Sequence, residues 1–236
     1  MSGTTHEITK LIKKSPKRNA QLVKIQKEMS SEQYSGIRLL CPTRWTVRAE
    51  ALWSIINNYE ALQDLWVWAL DNCKDTEMKS RIYGVQAHMM KFSFFFGLVL
   101  GHSLLKHADN LSATLQTSSL SAADGQKIAA MTVKALQKMR SDEAFLLFWN
   151  RVLSLADEKE VEKPCLPQKR KPPARFEVGS SVPHSPKSPE DLYRVTYYEG
   201  LDLIVQSITD RFNQKDYDVY IQSEELLLKA AKRKDY

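Results

Sequence analysis

The sequence predicts an all-α fold, a multi-helix bundle built from long amphipathic helices. Only 8 of its 236 residues are glycine, and apolar residues recur at three- and four-residue spacing over long stretches, which is typical of helices with one buried face. No run of two-residue alternation indicates a set of strands. An apolar content of 43% is ordinary for a globular protein, and a chain of this length buries a sizeable core.

Two short helices are predicted before residue 30. The first runs from His6 to Lys14; Ser15 and Pro16 end it and start the second, which continues to about Met29. One face of this pair is rich in basic residues, which we interpret as a solvated helix face. These residues are Lys13, Lys14, Lys17, Arg18, Lys24 and Lys27.

Two long helices are predicted in the middle of the chain. The first extends from Thr46 to about Asp71 and the second from Glu77 to His107, each with apolar residues at helical spacing. The stretch from Phe92 to Leu100 is apolar nearly all round, so it is expected to be the buried centre of the bundle. A polar connection is predicted from Asp109 to Leu120.

Serine caps predict the starts of three further helices, at Ser121 (with Asp124 in a capping box), at Ser141 and at Ser188. Prolines cluster between the last two of these helices and indicate an exposed, largely irregular linker. The chain is therefore divided into a helical bundle over 1–158, a proline-rich basic linker over 159–189 and a C-terminal helical pair over 190–236.

Composition and motifs exclude several functional classes. The three cysteines are widely spaced, which gives neither a disulfide framework nor a paired metal-binding motif and indicates a reducing, intracellular compartment. No nucleophile motif and no phosphate-binding glycine loop occur. We expect no catalytic residue, metal, cofactor, secretory signal or membrane span. The net charge of +6 and pI near 9.1 are compatible with a polyanionic partner without requiring one.

The stretch Leu-Leu-Cys-Pro-Thr-Arg-Trp over 39–45 precedes the first long helix. Pro42 blocks a helix through it, and Thr46 is a suitable cap, so Arg44 and Trp45 come just before a helix N-terminus. Such an end favours an anion such as phosphate. Chemistry alone favours a local role, in which Trp45 packs before the helix and Arg44 caps or pairs nearby. The alternative is that Trp45 stacks on an unpaired base while Arg44 contacts a phosphate.

A second basic element lies in the predicted linker. Lys169, Arg170, Lys171 and Arg175 flank a pair of prolines, which keeps the cations extended and exposed. Such a run suits a nuclear localisation signal or a nucleic-acid patch, and it equally suits a solvated charged linker.

Seven short stretches, taken together, resemble the hAT (hobo/Ac/Tam3) transposase family, and within it the zinc finger MYM-type protein 1-like proteins. The Cys-Pro-Thr-Arg-Trp motif is the most specific of them. The stretches are Ile8–Arg18, Leu40–Arg48, Asn57–Glu60, Thr114–Gln116, Phe148–Trp149, Lys169–Lys171 and Tyr193–Glu199.

The resemblance implies the all-helical insertion domain of that family without its metal-binding acids. Two of those acids are expected upstream of this sequence and the third in a downstream Ser-Ala-x-x-Glu-Arg-x-Phe-Ser-like motif that the sequence does not contain. By resemblance, Arg44 and Trp45 contact hairpin or single-stranded DNA, with Trp45 on a flipped base. The expected protein is a catalytically inactive, nuclear, transposase-derived chain with residual DNA binding. The alternative is a protein-interaction scaffold that binds no DNA, and the alternative location is the cytoplasm.

Overall fold

Nine helices and no strand make up the longer segments of the chain that the computed structural model describes. The described residues are 2–29, 36–37, 48–117, 120–167, 186–212, 219, 221–224, 226–227 and 229–230. The prediction of an all-α fold is confirmed. The helices are α1 (Ser2–Lys13), α2 (Pro16–Met29), α3 (Arg48–Asn57), α4 (Tyr59–Asn72), α5 (Thr76–Met89), α6 (Phe92–Leu115), α7 (Ala122–Lys138), α8 (Asp142–Glu158) and α9 (Pro189–Phe212).

The two N-terminal helices form as the sequence predicts, although α1 begins at Ser2, earlier than expected. The hydroxyl of Ser15 accepts the N–H of Arg18 at 3.3 Å, which caps α2. The Arg18 side chain in turn donates from Nε to the carbonyl of Leu11 at 2.7 Å. This bond joins the first turn of α2 to the last turn of α1.

The single helix predicted from Thr46 to Asp71 is wrong within the described residues, because the chain breaks at Asn58 into α3 and α4. The Asn58 amide donates to the carbonyl of Ser54 at 2.6 Å and accepts a hydrogen bond from the Gln26 amide of α2. Side chains that bond nearby backbone in this way compete with the helical ladder. The break lets α3 pack on α6 while α4 packs on α2 and α5.

Replacing Asn58 with alanine is expected to lower the free energy of unfolding by about 1–3 kcal/mol, because it leaves a buried amide without its partner. The stranded amide belongs to Gln26, which is buried. Urea unfolding followed by circular dichroism measures the loss. The neighbouring Asn57 is exposed, so Asn57→Ala should stay within about 0.5 kcal/mol of wild type. An equal loss of unfolding free energy in the two variants would contradict the role of Asn58 as the hydrogen-bond partner of Gln26.

The single helix predicted from Glu77 to His107 is also wrong, since α5 and α6 meet at a 73° bend. Lys91 has extended backbone angles (φ −74°, ψ 129°) just before α6. The carbonyl of Met89 accepts the Tyr59 hydroxyl, and that of Met90 accepts the Glu162 N–H at 2.9 Å. These partners from elsewhere in the fold satisfy the two carbonyls at the end of α5.

No single helix in the described part of the chain is both long and apolar enough to cross a membrane. Only α5 and α6 taken together reach that length and composition, across the 73° bend.

The polar connection predicted from Asp109 is wrong as far as residue 115, because α6 continues to Leu115. Leu111 is buried and Leu115 packs against the core, so this end of α6 has an apolar face of its own. The carboxylate of Asp109 has a partner on α3, described below. Of the polar residues that suggested a loop, Asn110 and Thr114 are exposed on this helix and Asp109 faces α3.

The three predicted serine caps are confirmed. Each serine hydroxyl accepts the N–H three residues on, at 3.1 Å for Ser121, 3.2 Å for Ser141 and 3.1 Å for Ser188. At α9 the bond is reciprocated, because the carboxylate of Asp191 accepts the Ser188 N–H at 3.1 Å. This is a capping box with aspartate in the third position.

Helix α9 packs into the same core as α6, α7 and α8. It runs parallel to α6, since Tyr193 lies on Phe92 and Phe96 at one end and Gly200 lies beside Leu104 further along. An aromatic cluster fills this region. Its members are Phe92, Phe96, Phe145, Phe148, Trp149, Tyr193, Tyr197 and Tyr198. The three-part division at 158 and 189 stays a prediction.

Candidate nucleic-acid interface

The six residues that the sequence proposed for DNA contact or nuclear localisation lie outside the described residues. They are Arg44, Trp45, Lys169, Arg170, Lys171 and Arg175. Their roles stay predictions. The residue that resumes the described chain after Arg44 and Trp45 is Arg48, the first residue of α3. The candidate site is therefore built from α3 and the elements that pack on it.

Helix α3 and the start of α4 run antiparallel to α6. The N–H of Ala49 contacts Asp109, near the end of α6. The ring of Trp53 lies on His102, in its middle. Tyr59 packs edge-on against Phe95, near its start, with ring centroids 5.1 Å apart. This register sets the residues of α3 beside the polar half of α6, and it defines the surface described next.

The N-terminus of α3 is capped from α6. One carboxylate oxygen of Asp109 accepts the Ala49 N–H at 2.9 Å, and the carboxylate also accepts a backbone hydrogen bond from Arg48. Burial raises the pKa of Asp109, and these two bonds together with the charge of Arg48 oppose the rise. The sequence indicated a helix end suited to an anion, and the carboxylate of Asp109 from the chain itself lies there. The predicted cap, Thr46, lies outside the described residues. A phosphate would have to displace Asp109 to bind at the same N–H groups.

An aromatic platform lies one turn further along α3. Trp53 and His102 are stacked, with ring centroids 4.8 Å apart and planes inclined by 22°. Trp53 is 40% exposed, so part of the indole remains open to solvent while His102 supports one face. An exposed, supported ring of this kind is suited to stacking on a nucleobase.

Two cations act electrostatically on the histidine of this platform. Burial lowers the pKa of His102, and the charges of Lys106 on α6 and Arg151 on α8 lower it further. The acidic residue of α3 that lies nearest to Trp53 in the sequence is Glu50, about one turn earlier on the same face of the helix. We call Trp53, His102, Lys106 and Arg151 the α3–α6 surface. Rings interleaved with basic side chains are characteristic of surfaces that bind single-stranded nucleic acid.

Sequence reasoning missed this surface, although one signal was available. The buried stripe of α3 includes Leu52, Ile55 and Ile56, and Trp53 lies off that stripe. A tryptophan away from the apolar face of a helix is a candidate for contact with a partner. His102 and His107 are both half-buried. Among the described residues no three His, Cys, Asp or Glu side chains gather as metal ligands.

The stability of the protein is expected to fall as the pH is lowered through about 6.5. Burial is the main cause that lowers the pKa of His88, His102 and His107. The folded state therefore binds protons less readily than the unfolded chain, and the stability present at neutral pH is lost as the pH drops from the unfolded value toward the folded ones. Urea unfolding at pH 7.5 and 5.5 measures the change. In the variant with all three histidines replaced by glutamine, the free energy of unfolding should depend less steeply on pH. An unchanged pH dependence would contradict the role given to the three histidines.

No protein-family model matches the chain, and no solved structure matches it. The resemblance to hAT transposases therefore stays a prediction from short motifs. The inference about function depends on the α3–α6 surface and on the two residues that precede α3 in the sequence.

Proposed function

We propose that the chain is a catalytically inactive, transposase-derived helical protein that binds single-stranded or hairpin DNA in the nucleus. The single observation that carries the proposal is the Trp53–His102 stack, whose indole is partly exposed and whose imidazole feels the positive charges of Lys106 and Arg151. The sequence resemblance supports it independently, because it assigns DNA contact to Arg44 and Trp45, which lie just before α3. The residues proposed for DNA contact are then Arg44 and Trp45, by resemblance, and those of the α3–α6 surface.

Binding at this surface has two physical components. An unpaired base stacks on the open part of the Trp53 indole, an interaction of about 1–3 kcal/mol per base. Lys106 and Arg151 neutralise neighbouring phosphates, which displaces counterions and makes the affinity depend on salt. Neither component reads base identity through hydrogen bonds, so we expect a preference for unpaired structure over a particular sequence.

The experiment is a fluorescence-anisotropy titration with a labelled DNA hairpin and a labelled single strand over a range of salt concentrations. Trp53→Ala should weaken binding by about 5- to 150-fold, which corresponds to the loss of one stacked base. Lys106→Gln should reduce the salt slope by about 1. Trp45→Ala and Arg44→Ala test the segment before α3 in the same assay.

Two exposed positions away from the surface serve as controls. Tyr83 is 65% exposed on α5, and Lys134 is exposed on α7. Tyr83→Ala and Lys134→Gln should bind DNA as wild type does. The proposal is wrong if Trp53→Ala also binds as tightly as wild type, or if the wild-type protein shows no salt-sensitive DNA binding.

A protein-interaction scaffold is the second candidate, and an apolar groove between α6 and α9 favours it. The groove encloses about 650 Å³ and is lined largely by leucine and isoleucine side chains, among them Leu104, Leu111 and Ile204. Leu203 on its rim is 70% exposed. Grooves of this kind accept the apolar face of an amphipathic helix. If the chain binds no DNA in the titrations above, this candidate becomes the leading one.

A further inference from the structure

The α1–α2 hairpin holds most of the net charge of the protein. Residues 2–29 contain seven Lys and Arg against two Glu, an excess of five positive charges where the whole chain has an excess of six. Charge concentrated on one element in this way is the electrostatic footprint of a polyanion-binding surface. The arrangement of these side chains on the hairpin decides whether they form one.

Five of the cations lie on exposed positions of the hairpin: Lys13, Lys14, Lys17, Lys24 and Lys27. We call the three that belong to α2 the α2 basic face: Lys17, Lys24 and Lys27. The opposite side of α2 is buried through Leu22, Ile25 and Gln26, and α2 packs against α4. Lys17 and Lys24 are seven residues apart and share one side of the helix. From Lys17 to Lys27 the face extends about 15 Å along the helix axis, at about 1.5 Å per residue.

The two acids of the hairpin do little to neutralise this face. Glu7 is engaged by Arg81 of α5 in an ion pair. Glu28 lies 3.9 Å from Lys24, with both side chains more than 60% exposed, and exposed pairs of this kind are weak. Within the hairpin, the α2 basic face therefore keeps an excess of positive charge.

The scaffold under the face is held in place by specific contacts. The Arg18 bond to the Leu11 carbonyl fixes the angle between the two helices, and the Lys17 ammonium lies over the ring of Trp68 on α4, 5.4 Å from its centroid. Because Lys17 occupies that ring, the face offers cations without an open aromatic platform. It is suited to phosphates more than to bases.

We propose that the α2 basic face binds the phosphate backbone of nucleic acid, independently of sequence, as a second contact in addition to the α3–α6 surface. The inference rests on the proposed function and extends it, since it gives the duplex part of a DNA ligand a place to bind. A lipid surface fits less well. An interfacial helix inserts a broad apolar face into the bilayer, and the apolar face of α2 is buried against α4, which leaves Val23 and Met29 as its exposed large apolar side chains.

The test compares two triple variants in DNA titrations against salt, using duplex DNA and a DNA hairpin. The first replaces Lys17, Lys24 and Lys27 with glutamine; the control replaces Lys127, Lys134 and Lys138 of α7, which are also exposed and similarly spaced. The α2 variant should lower the slope of log K against log salt by about 2–3, since each phosphate contact on duplex DNA contributes about 0.9. The α7 variant should keep the wild-type slope. Circular dichroism verifies that both remain folded.

The other outcomes separate this inference from the proposed function. Suppose that the wild-type protein binds DNA and that Trp53→Ala weakens this binding, but the α2 variant keeps the wild-type slope of log K against log salt. Phosphate binding by the α2 basic face is then wrong, and the proposed function stands. If wild type shows no salt-sensitive binding to any DNA, both are wrong. Equal loss of slope in the two triple variants would also overturn the assignment to α2. So would a loss of binding to phosphatidylserine vesicles in the α2 variant with DNA binding unchanged, because the partner would then be a membrane surface.

Discussion

Replacing Trp66 with alanine is expected to lower the free energy of unfolding by about 3–5 kcal/mol, because a large buried ring is removed from a packed core. Trp66 has no exposed surface, and its indole N–H donates to the sulfur of Met89 at 3.1 Å. The loss is a large share of the roughly 5–15 kcal/mol that holds a domain of ordinary stability together. Thermal unfolding followed by circular dichroism should show a lower midpoint.

Trp53 provides the matched control for this substitution. It is the same residue type, 40% exposed, so Trp53→Ala should destabilise the protein much less while weakening DNA binding. The two tryptophans should therefore separate stability from function. A Trp53→Ala protein that unfolds as easily as Trp66→Ala would contradict the description of Trp53 as a surface residue.

Truncation of the chain after Leu166 is expected to abolish cooperative unfolding. It removes α9, whose buried side chains are Tyr193, Tyr197, Leu201 and Ile208. Burial of each such side chain contributes about 1.5–3 kcal/mol, so their joint loss approaches the stability of a whole domain. It also exposes the aromatic side chains that α9 covers, among them Phe92 and Phe96. Near-ultraviolet circular dichroism and binding of a hydrophobic dye measure the loss of fixed packing.

A second truncation, after Phe212, is the control. It keeps α9 and removes 213–236, including the hydrogen bond that the Glu224 carboxylate accepts from the Ala122 N–H. The protein that ends at Phe212 should unfold cooperatively. The same pair of proteins tests the predicted division of the chain: if the protein ending at Leu166 unfolds cooperatively with wild-type stability, then 1–158 folds as an independent bundle.

The sequence was sufficient for features with a local cause. Apolar spacing and the capping serines Ser121, Ser141 and Ser188 act within a few residues, and they correctly predicted an all-α fold and the starts of α7, α8 and α9. The breaks at Asn58 and Lys91 could not be found in this way, because the apolar spacing continues across both. Part of the hydrogen bonding at each break comes from partners that only the tertiary fold brings near, Gln26 at Asn58 and Tyr59 and Glu162 at the end of α5.

The same distinction applies to the candidate site. Trp53 is recognisable by its position off the apolar stripe of α3, which is a local property. Its stacking partner His102 comes from α6, and no pattern in the sequence associates the two residues. The occupied N-terminus of α3 was likewise hidden, because Asp109 belongs to a stretch that the sequence suggested was a loop.

The capping of α3 by Asp109 has a consequence for the order of folding. In the described part of the chain helix α3 has ten residues, fewer than the roughly 12–15 that an isolated helix needs to persist in water. Its first turn is completed by a carboxylate sixty residues further along the chain. During synthesis α3 should therefore remain unstable until α6 has been made and has docked against it. The surface around Trp53 would then be a late product of folding, absent from a nascent chain that already contains every residue of α3.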